Sequence, residues 1–448
     1  MLESTAAVAN EPELSYRRVN APYLGTYPPV SFEPTIFWFG EVTPTTNYTD
    51  VRVYYYESHL TIVFHTIDRR LWFDLTKSEP DFTNWDAVSL YLDMAGNTGG
   101  VPSANTYLIR SQLDFQVIYR WNGSAWEPAP ITITTEASWR GNYPNDNTDD
   151  KGWQVKFEIP FSSLGLSGPP STGTTWGMAV MVHDRDDSQG TPIPDQIWPE
   201  AMDANNTYTW GQLVFNPSPY QPPRSLSQGV TTVKQGLDGA VVEDAHVGGH
   251  TICGSDVEHW TEWGEANYAG YTQMNIQNQW DISDWPCFSK YYVTFPVGNI
   301  PPNKVIIHAT LTMTHFGNAG GGDWGEPPDS YIQVFTVGEA WDEATLTWNN
   351  APLAVENIAG TWVYPRDYSL PDQPYHWNVT GVVNDTYQTG QPLRLALYSA
   401  DGERHSGKYF WTSDGYDWGR PTLSIVWGEP CSAAEIECNF TYLPITIR

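Results

Sequence analysis

His183 to Gly190 reads HDRDDSQG, which places Asp184, Asp186 and Asp187 in one loop that ends on a glycine. Alternating carboxylates supply oxygens to a hard divalent cation that wants roughly six to eight of them, so this loop is a candidate structural calcium site. HVGGH offers His246 and His250 to a transition metal. Without a helix or an intervening glutamate they lack the metalloprotease arrangement, and they read as two exposed loop histidines. AWDEATLTWNNAP sets Trp341 and Trp348 among Thr, Asn and acids. That composition suits a sugar-stacking surface or a piece of scaffold. Thr345 to Trp348 alternates as a short strand with one apolar face, and Asn349, Asn350 and Pro352 form a turn that stops it.

No G-x-S-x-G elbow, P-loop, H-E-x-x-H or dinucleotide glycine turn occurs. With 52 acidic residues, a pair of carboxylates carries no information about glycosidic chemistry, which depends on their separation across a cleft. These observations predict a protein that is not an enzyme.

The formal charge of -30 opposes binding to nucleic acid, whose phosphates need Lys and Arg to displace counterions. It also opposes adsorption to anionic membranes, and no run is long enough to insert in one. Twenty-two Trp and 26 Tyr with few charged residues suit secreted all-β modules. Cys253, Cys287, Cys431 and Cys438 allow three disulfide pairings, of which neighbour pairing (253 with 287, 431 with 438) is expected in an oxidising compartment. Near the start, Ala7-Val8-Ala9 has the A-x-A form of a signal-cleavage site, without an apolar segment before it. The expected location is therefore secreted or at a cell surface, after loss of a secretory signal.

These residues must be positioned by strands, because period-two alternation dominates both halves. Examples are HLTIVFHTID, AVSLYLDM and GWQVKFEIP in the first half, and KYYVTFPV, KVIIHATLTMTHF and LRLALYSA in the second. Between them NPSPYQPPRSLSQG is rich in Pro and Ser, which stiffen the chain and remove donors. One helix is expected, from Thr380 as N-cap to Gly390 as the left-handed stop. The expected organisation is an extension (1–30), a β-sandwich (31–217), a linker (218–230), a second β-sandwich (231–428) and a Cys-containing tail (429–448).

The first half, on WDAVSLYLD, GWQVKFEIPFSSLGL, WGMAVMVHDRDD, Trp198-Pro199 and WGQLVF, resembles the family-nine carbohydrate-binding modules. That resemblance implies a β-sandwich that clamps a sugar between two tryptophans and binds structural calcium. The clamp positions here would be Trp85 and Trp198, with Arg110 and Gln116 as polar contacts. Ser89 stands where ligand-binding members carry an acid. The second half, on NYAGYTQMNIQN, EAWDEATLTWNNAP, HWNVTGVVNDTYQTGQPLRLALYS and FWTSDGYDWGRPTLSIVW, resembles the DNRLRE domain. Some of these domains are classed as family ninety-six carbohydrate-binding modules, which implies a jelly-roll-like sandwich and polysaccharide binding. Aromatic stacking suits sugars because one pyranose face is apolar. Trp121, Trp126, Trp139, Trp411 and Trp418 are further candidates for that contact.

The expectation is an all-β protein of two jelly-roll-like sandwiches that binds polysaccharide, with calcium in a structural role. The alternative is a structural subunit of a cell-surface layer or extracellular filament, in a bacterial setting. In that case the apolar end, Thr441 to Arg448, would add to the sheet edge of another copy.

Overall fold

The computed structural model describes residues 17–431 apart from 77–81, 114, 252, 254–256 and 321–324. Of the expected tail, residues 429 and 430 continue the last strand, Thr422–Pro430, and residues 432–448, including Cys438 and Thr441 to Arg448, lie outside the described residues. Among the described residues the strands form three sheets, of thirteen, five and six strands, with one α-helix, Thr380–Thr389. Gly390 ends that helix in the left-handed region, φ 69°, as its lack of a Cβ permits.

In the first half, the five-stranded sheet runs in the order Thr35–Thr43, Thr46–Tyr55, His59–Ile67, Gly152–Pro160, Thr134–Arg140. It packs on part of the large sheet through inward residues such as Phe37, Val51, Phe64, Trp153, Leu90 and Val180. In the second half, the six-stranded sheet packs on the rest of the large sheet through Ile276, Tyr291, Val334, Trp377 and Leu395. Both are sandwiches, as the alternation requires, because each strand has one face that only a second layer can bury.

The two halves are less separate than the Pro-rich stretch suggests. Strand Arg18–Ala21, inside the expected extension, runs parallel to Gly211–Phe215 and touches Ala354–Val363 at Arg18 and Glu356. The large sheet is thereby continuous across both halves. A third apolar core joins Ile36, Trp38 and Tyr48 of the first half to Trp263, Phe335, Trp348 and Tyr398 of the second. Arg52 crosses the same boundary: its guanidinium donates to Ala400 O (3.1 Å), Asp401 O (2.8 Å) and Asn278 Oδ1 (3.2 Å). Asp50 compensates the buried cation at 3.1 Å and itself accepts from Asn278 Nδ2. The expected linker is also shorter in the structure. Strand Ser225–Lys234 begins inside it and pairs with Thr422–Pro430.

Thr345 to Trp348 is not the short strand that its alternation suggests. The backbone N–H groups of Thr345 and Leu346 turn back to Asp342 O, and Asn350 Oδ1 accepts from Thr347 N–H. The segment caps the boundary core with Trp348. Asn349 then pairs with both backbone groups of Val42 in the other half, at 2.8 and 3.2 Å.

Candidate functional site

Trp198 lies in the short strand Gln196–Trp198, paired to Thr175–His183 with Trp198 opposite Val180. That register turns its ring inward. It is 1% exposed, its centroid is 4.3 Å from that of Phe37, and it fills the space above Gly211, where a Cβ would meet the indole at 2.5 Å. Trp85 is half-buried, and the Arg185 guanidinium covers it at 4.1 Å from the ring centroid. Arg185 is held there by Asn84 O, Asp187 O and Ser188 O. One ring is enclosed and the other is covered, so the two do not form a clamp. Gln116 Nε2 donates to Ile133 O and its carbonyl accepts from Thr135 Oγ1, so its polar groups serve the fold.

Arg110 belongs to a chain of hydrogen bonds across the outer face of the large sheet. Its Nε donates to Ser89 Oγ (2.7 Å), Ser89 Oγ lies 2.8 Å from His183 Nε2, and His183 Nδ1 lies 2.8 Å from Asp195 Oδ1. Ser, His and Asp stand in the order of a hydrolase triad. A nucleophilic serine, however, must present its oxygen to substrate. Here Ser89 is 0% exposed and its oxygen is shared between Arg110 and His183. The chain ties three strands together and is not arranged for attack.

The acidic loop reaches a partner that its own spacing does not show. Asp68, the residue after strand His59–Ile67, brings a carboxylate oxygen within 4.8 Å of one from each of Asp184 and Asp186. Asp86 adjoins them, accepting from Trp72 N–H and Arg185 N–H. Both Asp184 oxygens are buried without a hydrogen bond, although Asn47 lies beside them. Burial and then the Asp186 charge push Asp184 up to about 8. Burial pushes Asp186 up to about 6 against the pull of Arg70 and Arg69. Burial first, then the neighbouring carboxylates, raise Asp68 and Asp86 well above the usual range. An all-oxygen, desolvated and mutually repelling set fits a hard divalent cation, which would supply the missing positive charge. Asp187 stands apart. It staples its own turn by accepting from Gln189 N, Thr191 N and Thr191 Oγ1.

His246 is not on a loop. It lies in strand Glu243–Gly248, buried, with its ring stacked at 4.4 Å and 20° on Tyr268. Burial, then His250, pushes it down to about 3, so it packs as a neutral aromatic wall.

An exposed pair of aromatic rings lies in the second half, after strand Lys408–Trp411, whereas in the first half Tyr143 and the sequence candidate Trp139 are also exposed. Two tight turns, Thr412 O to Gly415 N and Tyr416 O to Gly419 N, project Tyr416 and Trp418 outward. They are 62% and 60% exposed, with ring planes 7° apart and centroids 6.0 Å apart. Trp411 braces both edge-on, at 5.0 and 5.8 Å. It is itself fixed by stacking on Phe316 at 4.3 Å and by its Nε1–H donating to Asp372 Oδ2 at 2.9 Å. Gly419 is required here, since a Cβ would meet the Trp411 ring at 2.5 Å. Tyr416 was not singled out from the sequence, although the YDWG turn around it points to an exposed pair. In the first half, Trp121 and Trp126 meet edge-to-face at 5.4 Å and Trp126 also packs on Tyr91, whereas Trp139 donates its Nε1–H to Asn142 O.

No curated protein matches the chain. Two solved structures of a family 9 carbohydrate-binding module from Caldicellulosiruptor kristjanssonii, in complex with cellotriose and with glucose, align with its N-terminal part. The cellotriose complex is 17% identical with a TM-score of 0.31, over 45% of this chain and 94% of that one. The glucose complex is 15% identical with a TM-score of 0.30, over 45% and 96%. In the second half, residues 260–426, which include Trp411, Tyr416 and Trp418, match carbohydrate-binding module family 96.

Proposed function

We propose that the chain is a secreted or cell-surface, non-catalytic protein that holds a polysaccharide against Tyr416 and Trp418. The observation that carries this reading is the parallel, solvent-exposed pair of rings braced by Trp411. Two large rings left in water forgo burial worth about 1.5–3 kcal/mol each, and a rigid apolar pair of this kind suits a ligand that covers it. The apolar face of a pyranose does so while its hydroxyls stay at the wet rim. The family match over the same segment supports it.

Co-sedimentation or gel retardation with a panel of polysaccharides tests the reading. The protein should be retained by at least one, and the Tyr416→Ala/Trp418→Ala double variant should not. Retention by none, or equal retention of the variant, overturns it.

A second reading concerns the first half: Asp68, Asp184 and Asp186 hold a structural calcium ion, with Asp86 beside them bound to backbone N–H groups. The bare, buried oxygens of Asp184 favour it. A calcium titration followed by calorimetry should show binding that Asp184→Asn abolishes, and no heat from the unaltered protein would refute it.

A further inference from the structure

We infer that Asp244 is a positioning residue for the Tyr416–Trp418 pair: its carboxylate latches the turn that carries the rings, and the latch loosens when the carboxylate takes up a proton. This rests on the carbohydrate reading just given and adds the regulation of that site.

Asp244 stands in strand Glu243–Gly248, at the edge of the thirteen-stranded sheet, and is 2% exposed. Its side chain reaches the segment that leaves Lys408–Trp411, a strand of the facing six-stranded sheet. Oδ2 accepts from Ser413 N–H at 2.6 Å and from the Tyr291 hydroxyl, and Oδ1 accepts from Ser413 Oγ at 3.0 Å. Ser413 lies inside the first of the two turns that project the rings. Its neighbour Thr412 ties the same turn to a second support. The Thr412 N–H donates to Thr272 O at 3.2 Å and its hydroxyl to Tyr271 O at 2.6 Å. Gly415 seats closely there, since a Cβ would meet Thr272 O at 2.9 Å. The turn is thus tied to both sheets, to the large one through Asp244.

An ionised carboxylate only accepts, which is what three donors require. A proton on Oδ2 would face the Ser413 N–H, which cannot turn away. A proton on Oδ1 would turn the Ser413 hydroxyl from donor to acceptor. Either way the turn loses charge-assisted hydrogen bonds, which are roughly twice as strong as neutral ones.

The surroundings favour that proton near neutrality. All three donors are neutral, and the Glu343 charge that acts on Asp244 is of like sign. Burial first, then Glu343, raises Asp244 to about 7 against the pull of Tyr291 and Ser413. Glu343 is itself raised by burial and then by Asp414 and Glu243, although it accepts from Gly270 N–H. The charged groups around the latch, from the turn, from its own strand and from the segment after Ser330–Val337, are therefore acidic. His246, with His250 beside it, is kept neutral at this pH by burial. Tyr291 stays a donor because burial raises it well above the usual range.

Fluorine NMR of the full chain labelled with 5-fluorotryptophan reads the latch without any ligand. The Trp418 resonance, identified by its loss in Trp418→Phe, should shift between about pH 5 and about pH 9 with a midpoint of about 7. Asp244→Asn should hold it at the low-pH position. Ser413→Ala removes one donor to the charged form and should move the midpoint upward, which tests the latch even where Asp244→Asn does not fold. Native gels cast with alginate, hydroxyethyl cellulose or galactomannan, each read against a polymer-free gel at the same pH, report binding. Retardation should weaken about threefold or more at the acid end, with Asp244→Asn weak at both ends. A Trp418 resonance that stays put, or moves alike in Asp244→Asn, or a midpoint unmoved by Ser413→Ala, overturns the latch. Polymer retardation then leaves the carbohydrate reading standing. Retardation that is constant across pH overturns the regulation of binding. A resonance that titrates through Asp244, with no retardation by any polymer, overturns the carbohydrate reading and leaves the latch as a property of the turn.

Discussion

Lys290 Nζ lies 3.7 Å from the ring centroid of Trp348, and the rings of Trp38, Tyr48 and Tyr398 surround the same amine at 4.7, 4.8 and 5.6 Å. Trp38 and Tyr48 belong to the first half, whereas Lys290, Trp348 and Tyr398 belong to the second. A buried cage built from both halves makes their stabilities interdependent. Trp348→Ala should cost about 3–5 kcal/mol by removing a large ring from a packed boundary. Calorimetry of the unaltered chain should show one cooperative transition. Two well-separated transitions would show that the halves unfold independently.

Lys290 also predicts a dependence on pH. Burial pushes its amine well below the usual lysine range, with Asp50 pulling the other way. Between the folded pKa and the ordinary value of about 10.5 the unfolded chain binds the extra proton, so this residue makes stability rise with pH over that window. Lys290→Met should remove that part of the rise. Denaturant midpoints of the two proteins should therefore converge as pH rises toward the ordinary lysine value of about 10.5. A gap that stays constant would refute the assignment.

The acid cluster behaves in the opposite sense. Asp184 and Asp186 titrate at about 8 and about 6 in the folded protein, above the unfolded carboxylate value. Between about pH 4 and 8 the folded state therefore holds more protons than the unfolded chain, so without a cation stability falls as pH rises through that range. Chelated protein should lose melting temperature across it, and added calcium should restore more at pH 8 than at pH 5. Asp184→Asn should flatten both effects, whereas Asp187→Asn should leave the calcium response intact. Melting curves unmoved by calcium at either pH would count against the site.

Trp198 and Trp85 separate structure from binding. Trp198→Ala should destabilise the fold by about 3–5 kcal/mol, because its ring is enclosed beside Phe37. Trp85→Ala should leave polysaccharide retention unchanged, since Arg185 already covers that ring. Loss of retention in a folded Trp85→Ala variant would restore the first half as a binding site.

Cys253 and Cys287 form a disulfide across a separation of 34 residues. On the chain-entropy account, closing a loop of that size stabilises by about 3–4 kcal/mol. The double Ser variant should lose about that much in urea, and the unaltered protein should lose a similar amount under reducing conditions. Equal midpoints with and without reductant would contradict this.

Local pattern alone determined much of this protein. GWQVKFEIP reads as a strand and is one over Gly152–Pro160, and the run from Thr380 to Gly390 carries the helix. The two-sandwich architecture and the Cys253–Cys287 pair follow from alternation and from neighbouring cysteines, which are properties of nearby residues. Tertiary structure decided the rest. Alternation has a period of two and marks two faces, but it does not say which face meets another layer. Strand Ala87–Asp93 is buried along its whole length, so both of its faces are covered. A tryptophan ring suits a core as well as a sugar surface. Only packing shows that Trp198 turns in against Phe37 and that Trp418 stands out beside Tyr416. Asp68 meets Asp184 for the same reason: charges separated by more than a hundred positions become neighbours only when their strands stack.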